Sequence, residues 1–169
     1  ELNHETARGI AGNDYAIFSR SGWLGSQGTT QIVWIGDQEA DFLPGDGLPT
    51  VVPALLNLGL SGVPYATHDI AGYSGGPSTM ELFMRWTELG AFTSVMRTHE
   101  GLNARANWSW NGGPTATPEE AADTLAHFRR FARIHMALVP TFEALAEEAA
   151  ETSMPILRHL VLEFPDDPD

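Results

Sequence analysis

The chain has 169 residues, 43% of them hydrophobic, which is enough for one domain with a buried core. It contains no cysteine, so disulfides, cysteine-ligated zinc and thiol nucleophiles are excluded. The 22 acidic residues outnumber nine basic residues, all arginine, and the net charge is −13. Such a balance excludes the basic footprint of a nucleic-acid binder and argues against an anionic membrane surface as partner. No apolar run approaches the length of a membrane span.

In chain order, residues 1–14 are polar and weakly patterned, and four apolar runs then predict strands. The predicted strands are Tyr15–Ser19, Gln31–Ile35, a third run that reaches Ile70, and Thr93–Met96. Each of these runs ends at or near polar or charged side chains. These are Arg20, Asp37, Asp69 and the pair Arg97 and His99.

Helical patterns follow most of these strands. Apolar spacing predicts helices over 51–58 and 82–92, and a capping pattern at Ser78–Glu81 precedes the second of them. We expect Pro53 in the first turn of the first helix. Thr117, Pro118 and Glu120 predict the start of a helix that runs to about residue 139.

Two further elements are expected at the end of the chain. Pro140 should separate that long helix from another that carries Phe142, Leu145 and Ala149. Residues 156–164 alternate well enough to predict a last strand.

Repeated strand–helix units predict an α/β fold with a parallel sheet. In a (β/α)8 TIM barrel the carboxyl ends of all strands meet on one face, which holds the active site. Four polar strand ends therefore predict a site there, but four units are only half a barrel. An isolated half would leave exposed edge strands, so we expect the chain to be part of a longer protein whose N-terminal half completes the barrel.

The most informative motif is Trp34-Ile35-Gly36-Asp37, in which an apolar strand ends at a glycine and a carboxylate. The motif and its neighbours resemble family 31 of the glycoside hydrolases, the α-glucosidases, α-xylosidases and sulfoquinovosidases. Further blocks appear in the family's order from 17 to 167: Ser19-Arg20-Ser21-Gly22-Trp23, Gly25-Ser26-Gln27, Leu60-Ser61-Gly62-Val63-Pro64, Asp69-Ile70-Ala71-Gly72-Tyr73, Glu81-Leu82-Phe83-Met84-Arg85-Trp86, Gly90-Ala91-Phe92, Met96-Arg97-Thr98-His99, Met154-Pro155-Ile156-Leu157-Arg158 and Glu163-Phe164-Pro165-Asp166-Asp167. Any single block is weak, whereas their ordered set is specific.

The resemblance implies strands 5–8 of the barrel, the C-terminal half, in residues 1–153, and the start of a following β-domain in 154–169. It implies a retaining α-glycoside hydrolase that acts on terminal α-linked sugars, with Asp37 as general acid/base. Arg20 and His99 would bind the sugar, Trp34 would wall its subsite, and Asp69 would lie in the pocket. The family's nucleophile is an aspartate at the end of strand 4, and no strand 4 precedes Tyr15, so it is expected outside this chain.

Other segments indicate which branch of family 31 the sequence resembles most. The segments around Gln38, Asp46, Glu100 and Asn107 look closest to the sulfoquinovosidase branch, where sulfonate recognition depends on upstream residues. Two departures from the family pattern, Ala71 for a glycine and Ser94 for a proline, look tolerable.

The residues themselves leave alternatives open. Asp37 could cap a loop, Arg20 could form an ion pair with Asp37 or Asp69, and Asp69 could hold Arg20 or His68. Trp34 could fill core, and a lone histidine such as His99 is often structural.

The chemistry requires two carboxyl groups, and the acid must keep its proton at neutral pH through burial and a neighbouring carboxylate. Trp108 and Trp110 could shape a leaving-group subsite or simply pack. A catalytically silent carbohydrate-binding homologue is the alternative to an enzyme. We expect no metal or other cofactor, a carbohydrate as partner, and no nucleic acid or membrane. A homo-oligomer is compatible with the sequence, and a cytoplasmic location is the expectation.

Overall fold

The computed structural model describes residues 2–103 and 105–167. Three parallel strands form a sheet in the order β1-β2-β3. They are β1 (Phe18–Ser19), β2 (Ile32–Trp34) and β3 (Ala66–Thr67). The parallel pairing confirms the expected α/β sheet, and it directs the carboxyl ends of all three strands to one edge.

Helices occupy most of the remaining chain. Their bounds are α1 (Leu2–Ala11), α2 (Leu48–Leu60), α3 (Met80–Gly90), α4 (Pro118–Ala137), α5 (Val139–Thr152) and α6 (Leu160–Glu163). Among the described residues, no helix is both long and apolar enough to cross a membrane.

The core lies where α2 and α3 face the sheet and its β3 end. Val51, Leu55, Leu82, Phe83 and Trp86 are almost completely buried and pack in one cluster. Leu89 packs against the same cluster, so the apolar face predicted for α3 is confirmed. Burial of these large side chains is the main stabilising contribution to this part of the fold.

Two helix starts differ in how well the sequence predicted them. The capping box at Thr117 and Glu120 is present, with Pro118 as the first helical residue. In α3 the cap is Thr79 rather than Ser78, and its side chain accepts a hydrogen bond from the Leu82 amide. Ser78 instead bonds the 107–108 segment, which removes it from the capping role.

Helices α1 and α2 also differ from what the sequence predicted. Helix α1 forms where residues 1–14 looked polar and weakly patterned, and it buries none of its described side chains, so no buried face marked it in the sequence. Helix α2 begins at Leu48 with Pro49 in its first turn, so Pro53 lies inside the helix and not in the first turn as predicted.

The predicted fourth strand at Thr93–Met96 is wrong as a regular strand. The segment after Met96 pairs with the segment after β3 only through an isolated parallel bridge between Ile70 and Thr98. The carbonyl of Val95 is instead within hydrogen-bonding distance of the Thr67 and Thr93 hydroxyls, at 3.3 Å each. Threonine hydroxyls that bind nearby carbonyls compete with a regular ladder.

The predicted strand at 156–164 is also wrong. Helix α6 forms there, and the His159 ring accepts a hydrogen bond from the Val161 amide at its start. Arg158 ties this tail to α5 by an ion pair with Glu148, and it forms a second ion pair with Glu163 of α6. An alternating pattern becomes a strand only beside a partner strand, and none pairs with it within the described part of the chain.

Candidate active site

The carboxyl ends of the strands bring together all five residues singled out in the sequence. Arg20 follows β1, Trp34 ends β2, and Asp37 comes three residues later. Asp69 follows β3, and His99 lies just beyond the bridge between Ile70 and Thr98. The edge therefore carries carboxylates, arginines and aromatic rings side by side.

Asp37 is positioned by the backbone after β2 and by an arginine. Gly36 has a φ of 106°, a conformation that side-chain-bearing residues rarely adopt, and it turns the chain out of the strand. The Asp37 carboxylate forms an ion pair with Arg20 at 3.0 Å, and its side chain is 28% exposed. The Ser74 hydroxyl donates a hydrogen bond to the Asp37 carbonyl at 2.7 Å. The carboxylate is thus held in place and still reaches solvent.

Asp69 is paired with Arg97, not with the Arg20 or His68 considered from the sequence. The ion pair measures 3.0 Å, and the Asp69 side chain is fully buried. Burial raises the pKa of Asp69, whereas the positive charge of the nearby Arg97 guanidinium opposes that rise. Asp69 is thereby distinguished from Asp37 as the enclosed carboxylate of the site.

Trp34 lies between the two arginines. The guanidinium groups of Arg20 and Arg97 each lie 5.5 Å from its ring centroid, within cation–π range. Its indole N–H faces the Asp69 carboxylate at a geometry short of a regular hydrogen bond. Arg97 also stacks on Phe18 at 5.1 Å. Trp34 is half-buried among these charged groups and lies outside the buried apolar core cluster.

Tyr73 is a site residue that the sequence reasoning did not single out. Its ring meets His99 edge-on at 4.8 Å between centroids and Trp34 at 6.4 Å. The His99 ring accepts a hydrogen bond from the Gly101 amide at 3.1 Å. The motif that ends at Tyr73 was recognised, but only the contacts show that this ring joins the β2 end to His99.

The turn that presents Tyr73 depends on two left-handed residues. Ala71 has a φ of 72°, which carries a cost that glycine would avoid, and Gly72 has a φ of 79°. A side chain at Gly72 would lie 2.9 Å from the Ala40 backbone. The departure at Ala71 is accommodated in the fold, while position 72 has no room for a side chain.

We expect Gly72→Ala to destabilise the protein more than Gly75→Ala, a matched control at a φ of 78°. At Gly75 a Cβ would meet Glu39 at 3.5 Å and the Ala40 amide nitrogen at 3.7 Å, both ordinary contact distances. The control should cost about 1–2 kcal/mol of unfolding free energy from backbone strain. The clash at Gly72 should add about 1–3 kcal/mol, measured by thermal unfolding of the full-length protein. Equal losses would contradict the close approach to Ala40.

His68 is a buried neutral base beside the site. Its Nδ1 accepts a hydrogen bond from the Trp86 indole at 3.0 Å, which leaves Nε2 as the protonated nitrogen. Burial, and secondarily the charge of Arg97, lowers the pKa of His68 from 6.5 to about 4. His68 is therefore a structural partner of Trp86 and not a ligand.

This lowered pKa predicts a loss of stability in acid. Between pH 6.5 and about 4 the unfolded chain takes up a proton at His68 that the folded chain does not. The stability that is present above pH 6.5 should thus fall by roughly 3 kcal/mol as the pH drops through this window. We expect His68→Gln to remove that part of the pH dependence in thermal unfolding. If His68→Gln lost stability in acid as steeply as the wild type, the acid sensitivity would not come from the lowered pKa of His68.

Within the described ranges 2–103 and 105–167, no group of three or more histidine, cysteine or acidic side chains could hold a metal ion. The site instead offers a partly exposed carboxylate, an enclosed carboxylate and two arginines on one edge of a parallel sheet. In barrel enzymes this edge is the catalytic face.

The comparison with known families agrees with that class of protein. The family model described as "Glycosyl hydrolases family 31 TIM-barrel domain" matches residues 2–145. The chain belongs to family 31 of the glycoside hydrolases, and the matched region is part of the family's TIM-barrel domain.

Two of the similar proteins are named sulfoquinovosidases, and others at 36% and 30% identity are named isomaltosyltransferase and alpha-xylosidase. The chain is 42% identical to the sulfoquinovosidase of Agrobacterium fabrum over 96% of its own length. It is 37% identical to that of Escherichia coli over 89%. A solved structure of a family 31 sulfoquinovosidase from E. rectale, in complex with the aza-sugar inhibitor IFGSQ, covers 98% of the chain with a TM-score of 0.84 and 32% identity.

The chain covers only a small part of each relative's own length. The chain spans 24% of the Agrobacterium protein, 22% of the Escherichia protein and 24% of the E. rectale chain. It therefore corresponds to about a quarter of the length of these relatives.

Proposed function

We propose that the full-length protein is a retaining α-glycoside hydrolase in which Asp37 is the general acid/base. The observation that carries this proposal is the Asp37 carboxylate itself, which is 28% exposed and ion-paired to Arg20 at 3.0 Å. It stands on the same edge as Trp34, Asp69 and His99, in a chain that belongs to a family of glycosidases. An acid/base needs a fixed position, access to the substrate and a second carboxylate beside it. Asp37 has the first two within this chain, and the nucleophile in the rest of the protein would supply the third.

The chemistry has two steps. As the nucleophile attacks the anomeric carbon, Asp37 gives its proton to the departing glycosidic oxygen. Asp37, now a carboxylate, then takes a proton from water while that water breaks the glycosyl–enzyme bond. Arg20 keeps the carboxylate aimed, and His99 and Trp34 contact the sugar. Asp69, held by Arg97, lies at the base of the sugar pocket.

The nucleophile is proposed to lie in the rest of the full-length protein. The three parallel strands and the bridged segment at Thr98 fit strands 5–8 of a (β/α)8 barrel. The relatives are about four times as long as this chain, which leaves room in the full-length protein for the other strands of the barrel. The division into 1–153 and the start of a following domain at 154–169 stays a proposal, with a helix in place of the expected strand.

We infer that the sugar released is sulfoquinovose. The relatives at 42% and 37% identity are both named sulfoquinovosidases, and so is the solved structure with a TM-score of 0.84. Tyr73, between Trp34 and His99, adds a hydroxyl at this edge that could contact a polar substituent of the sugar.

The test is hydrolysis of the 4-nitrophenyl α-glycosides of glucose, xylose and sulfoquinovose by the full-length protein. We expect kcat/KM for the α-sulfoquinovoside to exceed the other two by at least about a hundredfold, since a polar site rejects analogues that leave its groups unpaired. A preference for the glucoside or xyloside would contradict sulfoquinovose as the released sugar but would leave the proposed α-glycoside hydrolysis standing. Hydrolysis of none of the three would favour the silent carbohydrate-binding homologue.

A further inference from the structure

The segment that carries Asp37 is bonded to the turn that follows β3. The amides of Tyr73 and Ser74 both donate hydrogen bonds to the Gln38 carbonyl, at 2.8 and 3.0 Å. The Ala40 amide donates to the Ser74 carbonyl at 3.0 Å. Backbone bonds therefore fix the residues just after Asp37 against this turn, and they do so whatever side chain stands at position 74.

The turn that contains Asp37 is closed from within by Gln38. Gln38 is buried, and its side-chain amide donates a hydrogen bond to the Ile35 carbonyl at 3.0 Å. The two residues inside this turn are Gly36 and Asp37. Gly36, at a φ of 106°, has no side chain to restrict its rotation. The direction of Asp37 thus depends on what holds the peptide that follows it.

Asp37 is restrained at its carboxylate by Arg20 and at its carbonyl by Ser74. The Arg20 side chain is 60% exposed, and an ion pair of such exposure restrains its partner only weakly because water screens it. The Ser74 hydroxyl donates to the Asp37 carbonyl at 2.7 Å from a half-buried residue. A hydrogen bond that is partly removed from water is stronger than the same bond at the surface. Ser74 is therefore a substantial restraint on the backbone of Asp37.

We propose that Ser74 is a positioning residue for proton transfer by Asp37. Its hydroxyl fixes the Asp37 carbonyl and limits rotation about Gly36, so the carboxyl group stays directed at the departing glycosidic oxygen. A displacement of about 1 Å in a reacting group can lower a rate about a hundredfold, so even a modest restraint has a measurable effect. This inference rests on the proposed glycosidase function. Ser74 acts through Asp37 and takes no part in the chemical step.

The test compares the methyl and the 4-nitrophenyl α-glycosides of sulfoquinovose with the full-length enzyme. Departure of methanol needs the proton of Asp37, whereas nitrophenolate leaves without it. We expect Ser74→Ala to lower kcat/KM about tenfold for the methyl glycoside and less than about twofold for the 4-nitrophenyl glycoside. Ser74→Thr, which keeps a hydroxyl, should retain most of the wild-type rate on the methyl glycoside.

The matched control is Ser61→Ala. The Ser61 hydroxyl also donates to a backbone carbonyl, that of Asn57 at 2.8 Å, but it does so at the exposed end of α2. Its removal should leave kcat/KM unchanged for both substrates. A purely structural role for Ser74 predicts a loss of stability in thermal unfolding without a change in the ratio of the two kcat/KM values.

The outcomes separate the two proposals. A wild-type enzyme that cleaves neither substrate would overturn the proposed function, and this inference with it. A wild-type enzyme that cleaves both shows that the function stands. In that enzyme, equal losses on both substrates in Ser74→Ala, or no loss on either, would overturn the positioning role of Ser74 alone. A Ser74→Thr variant as impaired on the methyl glycoside as Ser74→Ala would overturn it as well.

Discussion

Asp37→Asn should lower kcat/KM of the full-length enzyme for methyl α-sulfoquinovoside by about 10²–10⁴-fold, the usual contribution of a general acid. The amide keeps the size of the carboxylate but has no proton to give to the departing oxygen. The effect on bond cleavage should be much smaller for the 4-nitrophenyl glycoside, because nitrophenolate leaves without protonation. The limb of the pH–rate profile that reports the acid should also disappear.

The matched control is Asp123→Asn, which changes an exposed aspartate on α4, a helix that packs against α3 and α5. It should leave both substrates and the pH profile unchanged. Equal losses on the two substrates in Asp37→Asn would show that Asp37 acts through structure or binding and not as the proton donor.

Arg97→Met should lower the free energy of unfolding of the barrel domain by about 3–5 kcal/mol, the largest stability effect we expect at the site. Arg97 is the ion-pair partner of Asp69, whose side chain has no exposure to water. Removal of the guanidinium leaves a buried carboxylate without compensation. It also removes the contacts of Arg97 with Phe18 and Trp34.

The pH dependence of this loss follows from the sign of the pKa shift. Burial raises the pKa of Asp69 and Arg97 opposes the rise, so the variant should show a still higher pKa. The folded variant then takes up a proton more readily than the unfolded chain, and its stability deficit should shrink as the pH falls. The measurement is thermal unfolding at several pH values.

Two further variants make this prediction specific. Arg85→Met breaks a surface pair with Glu88, in which the arginine is 59% exposed, and should cost no more than about 1 kcal/mol. The double variant Asp69→Asn with Arg97→Met should recover part of the loss, because the unpaired charge is then absent. Equal costs for the two arginine variants would contradict the buried-pair account.

Where the structure followed the sequence, the reason was a strong local signal. Asp37, Asp69 and Arg20 come at the ends of apolar runs, and parallel pairing brings such ends together. Thr117 and Glu120 carry a complete capping pattern, and it forms as predicted. Periodicity on α3 marked its buried face in the same way.

Where the prediction was wrong, the outcome depended on contacts that an alternating pattern does not contain. The segment before Thr98 lost its strand because the Thr67 and Thr93 hydroxyls lie close to the Val95 carbonyl. The tail became α6 because no strand lies beside it within the described residues. Alternation alone could not reveal either outcome.

In the candidate site, too, some features were predicted from the sequence and others were not. Motifs located Arg20, Trp34 and His99, but they could not reveal that Asp69 pairs with Arg97. They also left Tyr73 unassigned, although its ring contacts both Trp34 and His99. Partner choice among several charged strand ends depends on side-chain direction, which a single sequence does not contain.

The central claim is that Asp37 serves as acid and then as base, and Asp37→Ala with added azide tests it most directly. Without a general base, the glycosyl–enzyme formed from the 4-nitrophenyl glycoside should react slowly with water. Azide is an anionic nucleophile that needs no base. We expect azide to accelerate turnover of the variant and to yield the α-glycosyl azide, identified by NMR. No acceleration and no azide adduct, in a variant that turns over as fast as the wild type, would contradict the account.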